Sequence, residues 1–132
     1  MSKPTCAAWP TPSGYATTLN TAAAIRWSCR FADAADLVIT GEGRADEQTL
    51  AGKAAMGVAR HAGSAPVALL CGGLGPGAET VEESGAFALV QPIIDRPLGL
   101  ESAMADTERL LATAAARLAR GIGIGMGLST GG

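Results

Sequence analysis

Asp36-Leu37-Val38-Ile39-Thr40-Gly41-Glu42-Gly43-Arg44-Ala45-Asp46 is the stretch on which the reading of this chain turns. Its apolar run, Leu37-Val38-Ile39, is short and halts at Gly41, as a strand buried on both faces of a parallel sheet does. A charged glycine loop from Gly41 to Asp46 is predicted next. From about Thr49 to Ala62, the residues Ala54, Val58 and Ala62 fall on one helical stripe, and Gly63 suits a left-handed cap. That segment reads as a crossover helix.

Further along, the pattern repeats. Pro66 opens an apolar run through Val67, Leu69 and Leu70, followed by a glycine loop from Gly72 to Gly77 and a short acidic helix that stops before Gly85. Phe87, Leu89 and Val90 suggest a third strand, and Asp95-Arg96-Pro97 a third loop. Leu100 to Ala119 reads as one long helix whose Leu100, Met104, Leu111, Ala115 and Leu118 keep a 3.6-residue period. Successive strand-loop-helix units predict a three-layer α/β fold with a mainly parallel sheet. Residues 1–30 lack any sustained period and read as a poorly ordered leader, residues 31–120 as the folded segment, and the glycine-rich residues 121–132 as a flexible tail.

Bulk composition narrows the partners. A net charge of -2 leaves no basic face for a nucleic acid backbone. No apolar run approaches the ~18 to 20 residues that span a bilayer. Cys6, Cys29 and Cys71 are odd in number and widely spaced, which indicates neither a disulfide framework nor a zinc site and fits a reducing cytoplasm.

In open parallel sheets ligands bind outside the carboxyl ends of the strands. Glu42, Arg44 and Asp46 from the first loop, the amides of Gly72 and Gly73 from the second, and Asp95 and Arg96 from the third are therefore candidates to converge on one crevice. Gly41 and Gly43 permit close backbone approach to a ligand, and the Arg44 guanidinium can fork onto a carboxylate or phosphate. The competing reading is a surface loop with an internal Arg44–Asp46 pair. Lys53 follows Gly52 but lacks the pattern of a Walker loop, because Glu47 and Ala54 stand where glycine and a hydroxyl are needed; it is either a point charge for a phosphate or an ordinary helix lysine. Gly73-Leu74-Gly75-Pro76-Gly77-Ala78 matches a dinucleotide fingerprint loosely, with Asp95 as the ribose acid, although Pro76 removes an amide donor. His61, the single histidine, sits near a predicted helix end, where the helix dipole accounts for it. No metal-ligand set is indicated.

The run from Asp36 to Lys53, followed by Gly57-Val58-Ala59, resembles the signature of type I glycerate kinases, D-L-V-I-T-G-E-G-R-x-D-x-Q-T-x-x-G-K-x-P-x-G-V-A. Ala55 departs from it, standing where the family usually has proline. The resemblance covers about residues 33–120, the C-terminal segment of that family. It implies an incomplete part of a larger two-domain kinase fold, since the family's N-terminal D-S-F-K-G-S stretch, its G-G-S-A-T-x-D-G-G stretch and its G-P-Q-K-G-A segment have no counterpart. It implies ATP- and Mg2+-dependent phosphorylation of D-glycerate, with Arg44, Asp46 and Lys53 as catalytic candidates and Gly41, Glu42, Gly43, Gly72 and Gly73 as substrate or phosphate contacts. Whether Asp46 and Glu42 orient the cations, hold magnesium or take the hydroxyl proton stays open at this level. A complementing chain or self-association would supply what is missing; a non-catalytic α/β remnant, or a nucleotide- or anion-binding module, is the alternative.

Overall fold

The computed structural model describes residues 35–52 and 54–130, with the side chains of 129 and 130 outside the description. The leader expected over residues 1–30, with Cys6 and Cys29, lies outside these residues, as does Lys53. Three strands, β1 (Val38–Ala45), β2 (Val67–Leu74) and β3 (Leu89–Pro92), form one sheet in the order β1-β2-β3, and both pairings are parallel. After β1 come a 3-10 helix (Glu47–Ala51) and α1 (Ala54–His61); α2 (Ala78–Glu83) follows β2; α3 (Leu100–Ala105) and α4 (Thr107–Thr130) follow β3.

Alternation along the central strand β2 makes the layers. Val67, Leu69 and Cys71 point to one face, where Ala55 of α1, Ala62 just after it, Val81 of α2 and Phe87 complete a buried cluster. Ala68 and Leu70 point to the other face, against Leu118 and Ile122 of α4. A strand covered on both faces must be apolar throughout, which is why Val67 to Cys71 is an unbroken buried run. Small residues let the layers sit close: α1 buries Ala55, and Ala62 just beyond its end is buried too, rather than large side chains.

Several local expectations are revised. Residues Gly41 to Ala45 and Gly72 to Leu74, expected as loops, are strand: Gly41 lies opposite Leu70, Glu42 opposite Cys71, Arg44 opposite Gly73. Glycine weakens a strand but permits backbones to approach where a side chain would not fit, and a Cβ on Gly72 would collide with the Gly43 carbonyl oxygen. The crossover helix is broken in two by Gly52, in the left-handed region at φ 116°. Ala62 is buried as expected, but Ala55 takes the buried place expected of Ala54, which is exposed, and the partly buried Ala59 packs beside it.

The last helix is broken at Asp106, and its buried stripe is Leu110, Ala114 and Leu118, leaving Leu100 and Met104 in solvent. Beyond Leu118, α4 continues through Gly121, Gly123, Gly125 and Gly127 to Thr130, so the residues up to 130 of the stretch whose composition suggests a flexible tail are helical. Ile122, packed against the sheet, extends the anchored part of that helix by one turn. The left-handed Gly63 (φ 65°) and Gly85 (φ 73°) follow α1 and α2 where the sequence placed helix ends.

Candidate functional site

The carboxyl ends of β1 and β2 are stitched together by backbone: Gly75 N–H donates to the Ala45 carbonyl at 2.8 Å, and Glu47 N–H to the Pro76 carbonyl at 3.1 Å. This places Arg44 over Gly75, where a Cβ would stand 3.0 Å from the Arg44 Cδ and Nε. Glycine at 75 is thus the seat of the arginine stem.

Asp46 organises the turn that follows. It caps the 3-10 helix, its Oδ1 accepting the Gln48 N–H at 3.0 Å, while its Oδ2 accepts the Arg44 Nε–H at 3.1 Å. Its side chain is 6% exposed and that of Arg44 64%. The pair that a bland reading of the loop anticipates is therefore present, yet it is lopsided: a buried carboxylate holds the stem end of a guanidinium that faces solvent. Through these two oxygens Asp46 orients Arg44 and caps the helix.

Glu42 is held differently. Thr49, fully buried, donates its hydroxyl to Glu42 Oε1 at 2.6 Å and accepts the Asp46 N–H at 3.1 Å. Glu42 Oε2 is buried without a hydrogen-bond partner among the described residues. Such an oxygen is costly unless a cation or donor reaches it.

A groove of about 810 Å³ runs beside this edge. Its polar end is Gly41 to Arg44 with Gly72 and Gly73; its walls are Leu98, Met104, Leu110 and other apolar side chains of the β3–α3 connection, α3 and α4. The site residues Gly41, Glu42, Gly43, Arg44, Gly72 and Gly73 are thereby brought to one groove, with Asp46 touching Arg44 from behind. Lys53 lies outside the described residues.

Asp95 and Arg96 do not line the groove. Asp95 accepts from Arg96 at 2.8 Å and from Arg109 at 3.1 Å, and Arg109 also contacts Asp106 at 2.6 Å. Hydrogen bonding to Arg109, first among the causes, holds the carboxyls of Asp95 and Asp106 below the usual range and raises Arg109 further. This network ties the β3–α3 loop to the start of α4. It also removes Asp95 as a ribose acid, and with α2 only six residues long the fingerprint at Gly73 to Ala78 has no helix of useful length behind it. His61 Nδ1–H donates to the Gly57 carbonyl at 2.7 Å in the last turn of α1, a helix-end role. Cys71, opposite Glu42, is a free buried thiol whose pKa is raised, chiefly by burial.

Two residues that organise the site, Thr49 and Gly75, were not singled out in the sequence. Asp46-x-x-Thr49 has the spacing of a capping box with threonine in the place of the usual Glu or Gln, and that signal was available. Nothing local marks Gly75 as the floor under Arg44.

The model of the glycerate kinase family matches residues 17–123. A glycerate kinase of Halalkalibacterium halodurans is 44% identical over 87 residues, and one of Bacillus cereus 40% identical over 89. These alignments cover 64% and 66% of this chain but 23% of each relative, so the chain spans under a quarter of the length of the curated relatives it matches. The match holds both glycine-bearing strand ends, the Asp46 cap and the groove they border, and by that match the chain belongs to the glycerate kinase family.

Proposed function

We propose that this chain supplies the anion-gripping edge of a glycerate kinase, transferring a phosphoryl group from ATP to D-glycerate in the cytoplasm. The observation that carries the reading is the lopsided Arg44–Asp46 pair at the carboxyl end of β1: a largely exposed guanidinium held at its stem by a buried carboxylate. Only Nε is spent on Asp46, so the terminal nitrogens face outward, and a fixed fork suits a carboxylate or phosphate better than a mobile ammonium. Gly43 and Gly73 border the same groove without side chains to obstruct a ligand. Lys53 is proposed as a second cationic contact, from the family signature alone.

Phosphoryl transfer depends on positioning and charge neutralisation more than on covalent chemistry. Magnesium is commonly held by one or two carboxylates together with phosphate oxygens. Glu42 Oε2, buried and without a hydrogen-bond partner among the described residues, fits such a role, whereas both Asp46 oxygens already accept hydrogen bonds from Gln48 and Arg44. Among the described residues no group of three acidic, histidine or cysteine side chains could hold a metal alone. Glu42 would therefore share the ion with the nucleotide; when bound, the ion neutralises charge on the phosphates.

A coupled ADP-release assay with D-glycerate and magnesium tests the reading. The chain alone should show little turnover, since it spans under a quarter of its relatives; joined by a complementing chain it should be active. There, Arg44→Lys should lower catalytic efficiency roughly ten- to a hundred-fold, the equivalent of about 1.5 to 3 kcal/mol for a lost charged hydrogen bond. Full activity combined with a stability loss above about 1 kcal/mol would make Arg44 a structural partner of Asp46 and overturn the assignment.

A further inference from the structure

We propose that Thr49 is the positioning residue of this edge: one buried hydroxyl sets the attitude of both acidic side chains and, through Asp46, of the Arg44 guanidinium. The proposal takes from the proposed function only what Arg44 is positioned for.

The direction of the bonds follows from proton counting. A backbone N–H can only donate, so the Asp46 N–H at 3.1 Å must use a lone pair of the Thr49 hydroxyl. The single hydroxyl proton is then available for Glu42 Oε1, at 2.6 Å, the length of a charge-assisted O–H···O⁻ bond. Rotating the hydroxyl to any other acceptor would leave neither Glu42 oxygen with a donor, because Oε2 already has none among the described residues. Thr49 is fully buried, so no water replaces it.

From Asp46 the constraint passes outward. Fixing the Asp46 N–H fixes the cap residue, whose extended backbone (φ -150°, ψ -178°) aims its carboxylate at both the Gln48 N–H and the Arg44 Nε–H. A capping box accounts for the contact to Gln48 and for the Thr49 hydroxyl on the Asp46 N–H, and for nothing more. The reach to Glu42 across seven residues and the coupling to Arg44 exceed what capping requires.

The test follows the Arg44 Nε–H by nuclear magnetic resonance in the chain as it exists. Thr49→Val keeps the shape and removes both bonds; Thr49→Ser keeps the hydroxyl. In Thr49→Val the exchange of the Arg44 Nε–H with solvent should quicken about ten-fold or more, as loss of a charged hydrogen bond implies, while the Leu69 amide in the middle of the sheet keeps its protection. Thr49→Ser should restore the native rate. Should Thr49→Val fail to fold, Thr49→Cys, a weaker donor of similar size, serves in its place. Unchanged Arg44 exchange in the valine or cysteine variant, or equal quickening in the serine variant, would overturn the proposal. The measurement needs neither ligand nor turnover, so it can fail while the kinase reading stands, and the converse.

Discussion

Substituting Gly72 by alanine tests the close approach of β1 and β2 that builds the site. The new Cβ would overlap the Gly43 carbonyl oxygen, a backbone atom that cannot rotate aside as a side chain can. Overpacking costs typically about 1 to 3 kcal/mol, and a backbone obstacle in a paired strand belongs at the upper end. Against this, replacing glycine lowers unfolded-state entropy, worth about 0.4 to 1 kcal/mol where the geometry is compatible. The net loss expected for Gly72→Ala is therefore about 2 kcal/mol. Gly43→Ala is the control, because a Cβ there meets nothing within 4 Å and should be neutral or slightly stabilising. Gly73→Ala should also be mild, its Cβ meeting only Ile94 Cδ1 at 3.6 Å. Urea unfolding followed by far-ultraviolet circular dichroism reads the differences, with unchanged slope confirming the same cooperative unit. In thermal melts the gap between Gly72→Ala and Gly43→Ala should be roughly 10 °C or more for a domain of this size. If the two variants unfold within about 0.5 kcal/mol of one another, the strands are not held at this separation and the groove geometry described here is wrong.

Further expectations concern the rest of the chain. Because Arg109 depresses Asp95 and Asp106, its contribution is present above the ordinary aspartate pKa and lost as pH falls through their lowered values, so the stability gap between the native chain and Arg109→Ala should shrink below about pH 4 and in high salt; a gap constant down to about pH 2.5 would assign Arg109 to packing instead. Cys71 should resist alkylation at about pH 8 until urea unfolds the sheet, since burial raises its thiol pKa, and rapid labelling of the Cys71 peptide in native buffer, read by mass spectrometry, would contradict the buried assignment. The amides of α4 beyond Ile122 should exchange far faster than those around Leu110 to Leu118, because each glycine costs a helix about 1 kcal/mol relative to alanine and residues 123–128 are exposed; equal protection would require a partner for that segment.

Sequence and structure divide the credit along physical lines. The strands could be read from Leu37 to Ile39 and from Val67 to Leu70 as short apolar runs, but only the central run of β2 is buried on both faces; β1 is an edge strand whose Ile39 is exposed. The helix ends at Gly63 and Gly85 could be read because a left-handed backbone favours glycine. Parallel order followed from the repeated units, and with it the placement of the first two glycine segments at one edge of the sheet. What the periodicity missed was phase. Ala54 and Ala55, like Leu110 and Leu111, are locally equivalent as apolar neighbours, and only the angle at which a helix meets the sheet decides which is buried.

The site shows the same limit. Arg44, Asp46 and Glu42 were identifiable as charged residues between glycines, but their separate roles were not, since a carboxylate acquires a role from its partners. Packing decides that Asp46 turns its oxygens to Gln48 and Arg44 while one Glu42 oxygen has no hydrogen-bond partner among the described residues. Asp95 and Arg96 illustrate the converse: a loop at the right edge whose charges turn instead to Arg109 and Asp106 at the start of α4. By itself the sequence determined the elements, their parallel order and the family signature, because these rest on local pattern. The buried phase of each helix, the Gly72–Gly43 approach and the division of labour among the acids came only with the tertiary structure, because each depends on atoms far apart in the chain meeting within a few ångströms.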